Sequence, residues 1–115
     1  MIATLTLNPA IDKSTVTEKI QPEKKIRCAE MLVEAGGGGI NVSKAIRKLG
    51  GASTAIFTSG GRNGSLLEDI LRSMDITAEP IKVLGETREN FSVAELSTNA
   101  QYRFVMPGPS LTKTD

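Results

Sequence analysis

The sequence predicts an α/β fold: a mostly parallel sheet with right-handed crossovers, carrying a small antiparallel β lid. Three observations lead there. Two amphipathic helical stretches alternate with aliphatic strand stretches, the order that builds parallel sheets. One hairpin-like pair follows the first strand and a second lies near residues 88–106, and two such insertions can pair into a separate sheet. A run of four glycines, Gly36 to Gly39, leads straight into the first helix.

Residues 2–7 read as the first strand, rich in β-branched and aliphatic side chains. Asn8-Pro9 ends it as a turn. Asp12 lies just past that turn. It either bonds a loop N–H or offers its carboxylate to ligand hydroxyls, since ligands in open α/β sheets gather at the carboxyl ends of strands. Residues 14–20 form a second, more polar strand, and Gln21-Pro22-Glu23-Lys24 a turn. Residues 25–34 form the third. Its apolar positions change parity from Ile26 and Cys28 to Met31 and Val33, which predicts a bulge near Ala29-Glu30. Lys25 and Arg27 share a face, as edge protection or as contacts for an anion.

The first helix follows the glycines. Val42, Ala45, Ile46 and Leu49 repeat at i, i+3, i+4 and i+7 as one apolar face. Gly50 and Gly51 stand where a left-handed C-cap belongs. Glycines let backbone approach a ligand, a helix start exposes N–H groups, and Asn41 adds a carboxamide. The stretch is either a flexible turn or a place to hold a polar small molecule.

Residues 53–58 are a buried-type strand and 59–64 a polar loop. Ser65 and Glu68 have capping-box spacing, which starts the second helix there. Leu67, Ile70, Leu71 and Met74 form its core face. Residues 77–83 contain Pro80 and read as an edge strand. Residues 88–96 and 101–106 form the second antiparallel pair, read as a lid over the glycine-led helix. Arg88 and Arg103 sit on it, as surface arginines or as phosphate forks. Residues 107–115 read as a linker.

Composition narrows the function. The chain has 115 residues, 39% hydrophobic, enough for one small core. A net charge of +1 argues against a dedicated nucleic-acid or membrane-surface binder, and three Phe and one Tyr against a base-stacking surface. With no histidine, neither a histidine triad nor a histidine-ligated metal can be built. Cys28 is the sole cysteine, which fits a reducing cytosol. No signal peptide or membrane-spanning run is recognised, so a cytoplasmic setting is expected.

Four segments together resemble the PfkB branch of the ribokinase-like sugar kinases, most of all the minor bacterial 6-phosphofructokinase type. They are Leu5-Thr6-Leu7-Asn8-Pro9-Ala10-Ile11-Asp12, the Gly36-to-Val42 run, Leu49-Gly50-Gly51, and Tyr102-Arg103-Phe104-Val105-Met106-Pro107-Gly108. Fructose-1-phosphate and tagatose-6-phosphate kinases share most of these features. The resemblance implies a ribokinase-like doubly wound sheet, incomplete here. Lid strands fall at about 14–34 and 88–106 and core elements at 1–12 and 36–83. It implies transfer of the ATP γ-phosphate to the 1-hydroxyl of fructose 6-phosphate, with tagatose 6-phosphate and fructose 1-phosphate as alternatives. By position, Asp12 would bind sugar hydroxyls, and Gly37, Gly38 and Asn41 would line the sugar pocket. Lys25, Arg27 and Arg88 would face the phosphate already on the sugar, partly across a dimer formed by the lids, and Arg103 would join them.

The family's Gly-Ala-Gly-Asp motif, with its general base, is not among these residues, nor is its adenine and magnesium pocket. The expectation is an N-terminal portion of a kinase that uses Mg-ATP at full length. This portion would bind no cofactor or metal and turn nothing over alone. A reading of another class is a non-catalytic sugar-phosphate-binding or dimerisation module. An incomplete parallel sheet is expected to leave apolar surface bare.

Overall fold

The computed structural model describes residues 1–115. The chain runs β1 (Ala3–Thr6), β2 (Ala10–Thr17), β3 (Leu32–Gly36), α1 (Gly38–Lys48), β4 (Thr54–Ser59), α2 (Gly61–Ser73), β5 (Thr77–Lys82), β6 (Arg88–Glu95) and β7 (Ala100–Phe104). Three strands form a parallel sheet in the order β1-β4-β5. The other four form a lid in the order β3-β2-β6-β7. Within the lid, β2 and β6 are parallel and the outer pairs antiparallel. The two hairpin insertions therefore do pair with each other.

Both helices cover one face of the parallel sheet. Thr4 and Thr6 of β1 stand opposite Ala55 and Phe57 of β4 and point the same way. The core joins Ile11, Ala35, Ile40, Ala55, Phe57, Leu67, Leu71 and Ile76. Each fully buried large side chain among them stabilises the fold by about 1.5–3 kcal/mol. The opposite face has no cover within these residues: Leu5 and Leu7 are 59% and 58% exposed. One side of a doubly wound sheet is present, with β1 at an unpaired edge. β5 is the other edge, as Pro80 requires, and Pro80 stands opposite Phe57.

Helix α1 docks through a different face from the one its periodicity marks. Ile40 and Ser43 are buried. Val42, Ala45 and Leu49 are not, and only Ile46 of the apolar stripe packs close, against Gly51. The reason is hydrogen bonding at close approach. The Ser43 hydroxyl lies 2.7 Å from that of Thr4 and accepts from Ser53 at 2.9 Å. The Ile40 N–H donates to Thr6 Oγ1 at 3.0 Å. Periodicity shows which side of a helix is apolar, not which side the sheet meets.

Helix α2 starts at Gly61, four residues before the capping box predicts, and Ser65 and Glu68 lie inside it. Its cap comes from the next crossover. Glu86 accepts from Asn63 N–H at 2.7 Å and Thr87 Oγ1 from Gly60 N–H at 3.1 Å. Leu67 and Leu71 are buried as expected and Ile70 is half-buried, but Met74, at the helix end, is exposed and outside the core. Glu68 is buried too. It accepts from Ser59 Oγ at 2.6 Å and pairs with Lys82 at 2.5 Å and Arg72 at 3.4 Å. Burial alone would raise its carboxyl. Hydrogen bonds from Lys82 and Ser59, with the charges of Lys82 and Arg72, outweigh that and hold it below the ordinary value.

A depressed folded-state value means that this stabilisation is present above the unfolded carboxyl's pKa and lost as pH falls through the folded one. Glu68→Gln should cost about 1–2 kcal/mol at neutral pH and flatten the acid limb of stability, read by urea melts from about pH 3 to 7. The figure stays below the roughly 3–5 kcal/mol of a fully buried pair because Lys82 is 69% exposed and screened by water. Unchanged melts across that range would refute the assignment.

In the lid, β2 begins at Ala10 rather than residue 14. Pro9 turns the chain and Ala10 and Ile11, both buried, continue directly into the ladder. Asp12 is thus a strand residue rather than a loop residue. The third strand is shorter than predicted: only residues 32–36 pair regularly. Leu32 opposes Ser14, yet Ala29 N–H donates to Val16 O at 2.9 Å. Three residues on one side span two on the other, a bulge at Glu30-Met31. Residues 25–31 stay tied to β2 because Thr15 and Thr17 hydroxyls donate to Ala29 O and Arg27 O, each at 2.7 Å. The last segment is not a free linker. Asp115 Oδ1 accepts from Leu84 N–H at 3.1 Å, and Pro109 closes on Gly85.

Candidate functional site

The site is built where the lid leaves the core. Asp12 lies two residues past Ala10, whose partner in β3 is Gly36, the first of the four glycines. Its half-buried carboxylate rests directly against Gly36: a Cβ added there would sit 2.7 Å from Asp12 Cγ. On the other side Asp12 faces Asn90 of β6, whose Nδ2 donates to Asp12 Oδ1 at 3.2 Å. Asn90 Oδ1 accepts from Met106 N–H at 3.0 Å. An open cavity of about 640 Å³ lies on this face of the lid, lined among others by Asp12, Glu34, Asn90, Leu32, Phe104 and Arg103. Arg103 also donates to Gln101 Oε1 at 3.1 Å.

The glycines differ in what holds them. Gly37 is the N-cap of α1 at φ 128, and a Cβ there would meet Thr6 Cγ2 at 2.7 Å and Pro9 Cα at 3.2 Å. Gly39 packs against Leu5 O, where a Cβ would come within 2.7 Å. Beside Gly38 nothing lies within 4 Å. No side chain of the N-cap residue closes α1, and Asn41 is exposed in its first turn. The glycine turn therefore puts bare backbone at Gly36 against the Asp12 carboxylate, while Gly37, Gly38 and Asn41 are not among the residues that line the cavity.

The basic residues divide. Arg103 joins Asp12 in the cavity. Arg88 commits its guanidinium to backbone: Nη1 donates to Met106 O and Nη2 to Asn8 O, both at 3.1 Å. It bridges the β1–β2 joint and the segment after β7, and its Nε is buried without a partner. Lys25 and Arg27 are exposed at the far end of β2. Arg27 is held to Thr17, five residues or about 17 Å along the strand from Asp12. Within one chain the fold does not bring them to Asp12. Asn90 is a part of the site that no local motif marks, and Gly36 and Thr6 lie in marked segments without a role assigned to them. The place of Asn90 depends on register between strands, since it stands 78 positions from Asp12 along the chain.

No group of three or more His, Cys, Asp or Glu side chains is placed to hold a metal ion. No helix is long and apolar enough to cross a membrane.

Comparison with known proteins gives the context of this geometry. Residues 5–114 match the family model described as pfkB family carbohydrate kinase. An ATP-dependent 6-phosphofructokinase isozyme 2 from Mycobacterium tuberculosis is 48% identical over 111 residues, 96% of this chain and 33% of that protein. A 1-phosphofructokinase from Xanthomonas campestris is 33% identical, over 94% of this chain and 34% of its own length. The crystal structure of phosphofructokinase-2 from Escherichia coli in complex with fructose-6-phosphate superposes with a TM-score of 0.92 at 44% identity, covering 98% of this chain and 37% of that one. The chain spans about a third of the length of these relatives. Over essentially all of its residues, this chain belongs to the pfkB family of carbohydrate kinases.

Proposed function

We propose that these residues form the acceptor side of an ATP-dependent sugar-phosphate kinase that phosphorylates the 1-hydroxyl of fructose 6-phosphate. The observation that carries the reading is the Asp12 carboxylate, seated against the glycine turn and opening into a cavity shared with Arg103. An ionised carboxylate accepts hydrogen bonds from sugar hydroxyls. The backbone at Gly37 and Gly38 and the Asn41 carboxamide supply the matching polar wall. Arg103 and Arg88 are the forks for the sugar's phosphate, Arg88 keeping its two carbonyls and offering its unpartnered Nε.

Lys25 and Arg27 stand too far from Asp12 to serve the same site in one chain, which supports their supply from a second copy across paired lids. The lid offers apolar surface for that contact, with Leu32 57% and Phe104 50% exposed. The family implies Mg-ATP, and no group of three or more His, Cys, Asp or Glu side chains gathers here to hold its metal. The nucleotide and its magnesium belong to the remainder of a full-length kinase, read as a cytoplasmic enzyme.

The test is Asp12→Ala in the full-length protein, assayed with fructose 6-phosphate, fructose 1-phosphate and tagatose 6-phosphate. Two charged hydrogen bonds at roughly 1.5–2 kcal/mol each predict a KM rise for fructose 6-phosphate on the order of a hundredfold. A KM within about twofold of the parent's would overturn the assignment. Preference for another of the three sugars would move the substrate and keep the site.

A further inference from the structure

Asp12 does not hold its own orientation; its surroundings do. Two neighbours touch its carboxylate. Asn90 donates to Oδ1 at 3.2 Å. Gly36 gives way to Oδ2, and a Cβ at this position would strike the carboxylate. Gly36 lies outside the left-handed region, so its backbone alone does not demand glycine. The demand comes from Asp12.

The orientation of the Asn90 amide follows from its partners. Met106 N–H can only donate, so it takes the Oδ1. An ionised Asp12 can only accept, so it takes the Nδ2. No other side chain of this size offers one acceptor and one donor at these two points. Asn90 also ties Asp12 to the segment leaving β7. The backbone of Met106 is gripped twice from β6, its N–H by Asn90 and its C=O by Arg88. Arg88 reaches on to Asn8 O in the joint between β1 and β2. A continuous set of bonds thus runs from the core–lid joint, through residue 106, to the Asp12 carboxylate.

We propose that Asn90 and Gly36 are positioning residues that jointly set the Asp12 carboxylate, and that Asn90 makes its placement depend on the segment at Met106. The proposal rests on the reading of Asp12 as the sugar-hydroxyl acceptor. Neither residue needs to touch substrate. Their effect passes through Asp12, and that property separates them from residues that merely support the fold.

The experiment is a double-mutant cycle in the full-length protein, with fructose 6-phosphate varied at saturating Mg-ATP. Asn90→Asp keeps an acceptor for Met106 N–H and replaces the donor to Asp12 with a second carboxylate. It is expected to raise KM about tenfold or more while kcat stays within about threefold, the signature of lost uniform binding. Gly36→Ala moves a short side chain rather than backbone and is expected to do the same, with a melting midpoint that falls less than that of Gly37→Ala. Placed on an Asp12→Asn background, each change should add less than about twofold, because the group it positions is gone. Additive effects on that background would overturn the proposal, as would a KM equal to the parent's in both variants. If Asn90→Asp does not fold, Gly36→Ala decides by the same cycle. An Asp12→Asn protein with the parent's KM would instead overturn the reading of Asp12.

Discussion

The 115 residues, purified alone with Mg-ATP and fructose 6-phosphate, are expected to give no phosphorylated product above an enzyme-free blank. Phosphoryl transfer is catalysed by positioning and by charges placed around the γ-phosphate. In the proposed reading the candidate groups surround an acceptor only. Asp12 is engaged by Asn90 and Gly36 in the lid, and Glu68, a buried carboxylate of the core, is neutralised by Lys82 and Arg72. Neither belongs to a group of three or more His, Cys, Asp or Glu side chains placed to hold a metal ion. The uncovered sheet face, with Leu5 and Leu7 more than half exposed, adds a tendency to self-associate. ADP release coupled to sugar phosphorylation by the purified chain would refute the acceptor-side reading. A cooperative melt whose midpoint rises with sugar phosphate and no ATP would favour the non-catalytic binding module.

Gly37→Ala is expected to destabilise the fold strongly. At φ 128 and ψ 149 an alanine incurs a backbone penalty of roughly 1–3 kcal/mol. Its Cβ would also press on Thr6 Cγ2 at 2.7 Å and on the Pro9 backbone at 3.2 Å, and overpacking of this kind costs roughly 1–3 kcal/mol. Together they remove about 2–6 kcal/mol from a domain whose whole stability is about 5–15 kcal/mol. Urea melts and the soluble yield measure it. Gly38→Ala is the control. Nothing lies within 4 Å of the added methyl and Gly38 has no positive φ, so stability is expected to stay near the parent's. The two neighbours should therefore diverge in stability. Equal midpoints for the two variants would mean that the strain at Gly37 is not real. A raised KM in Gly38→Ala without loss of stability would place Gly38 on the sugar, as proposed.

The elements are legible in the sequence because their causes are local. Aliphatic strands, the Leu67–Leu71 face of α2, the edge strand marked by Pro80 and the bulge betrayed by a change of parity all rest on period and on single-residue stereochemistry. So does the glycine turn, whose four residues signal close approach through composition alone. Asp12 and the glycines are also legible as a pair, through the motif set that marks the family. Helix α1 escapes its periodicity for a physical reason. Its apolar stripe of Val42, Ala45 and Leu49 is left unburied, while Ser43 is buried by hydroxyl bonds to Thr4 and Ser53. A hydrogen-bond partner 39 residues away outweighs periodicity. The start of α2 escapes similarly, because its cap comes from Glu86 and Thr87 rather than from its own first turn.

By itself the sequence determined the α/β class, the lid and the family, since each is written in spacing and residue type within short windows. Tertiary structure alone decided what the lid does with them. The parallel pairing of β2 with β6 puts Asn90 beside Asp12, and the pairing of Ala10 with Gly36 puts a missing side chain against its carboxylate. It also turns Arg88 onto two carbonyls and leaves Lys25 and Arg27 at the far end of the lid. Register between distant strands fixes all of these, and register is a property of the folded sheet that no window of neighbouring residues contains.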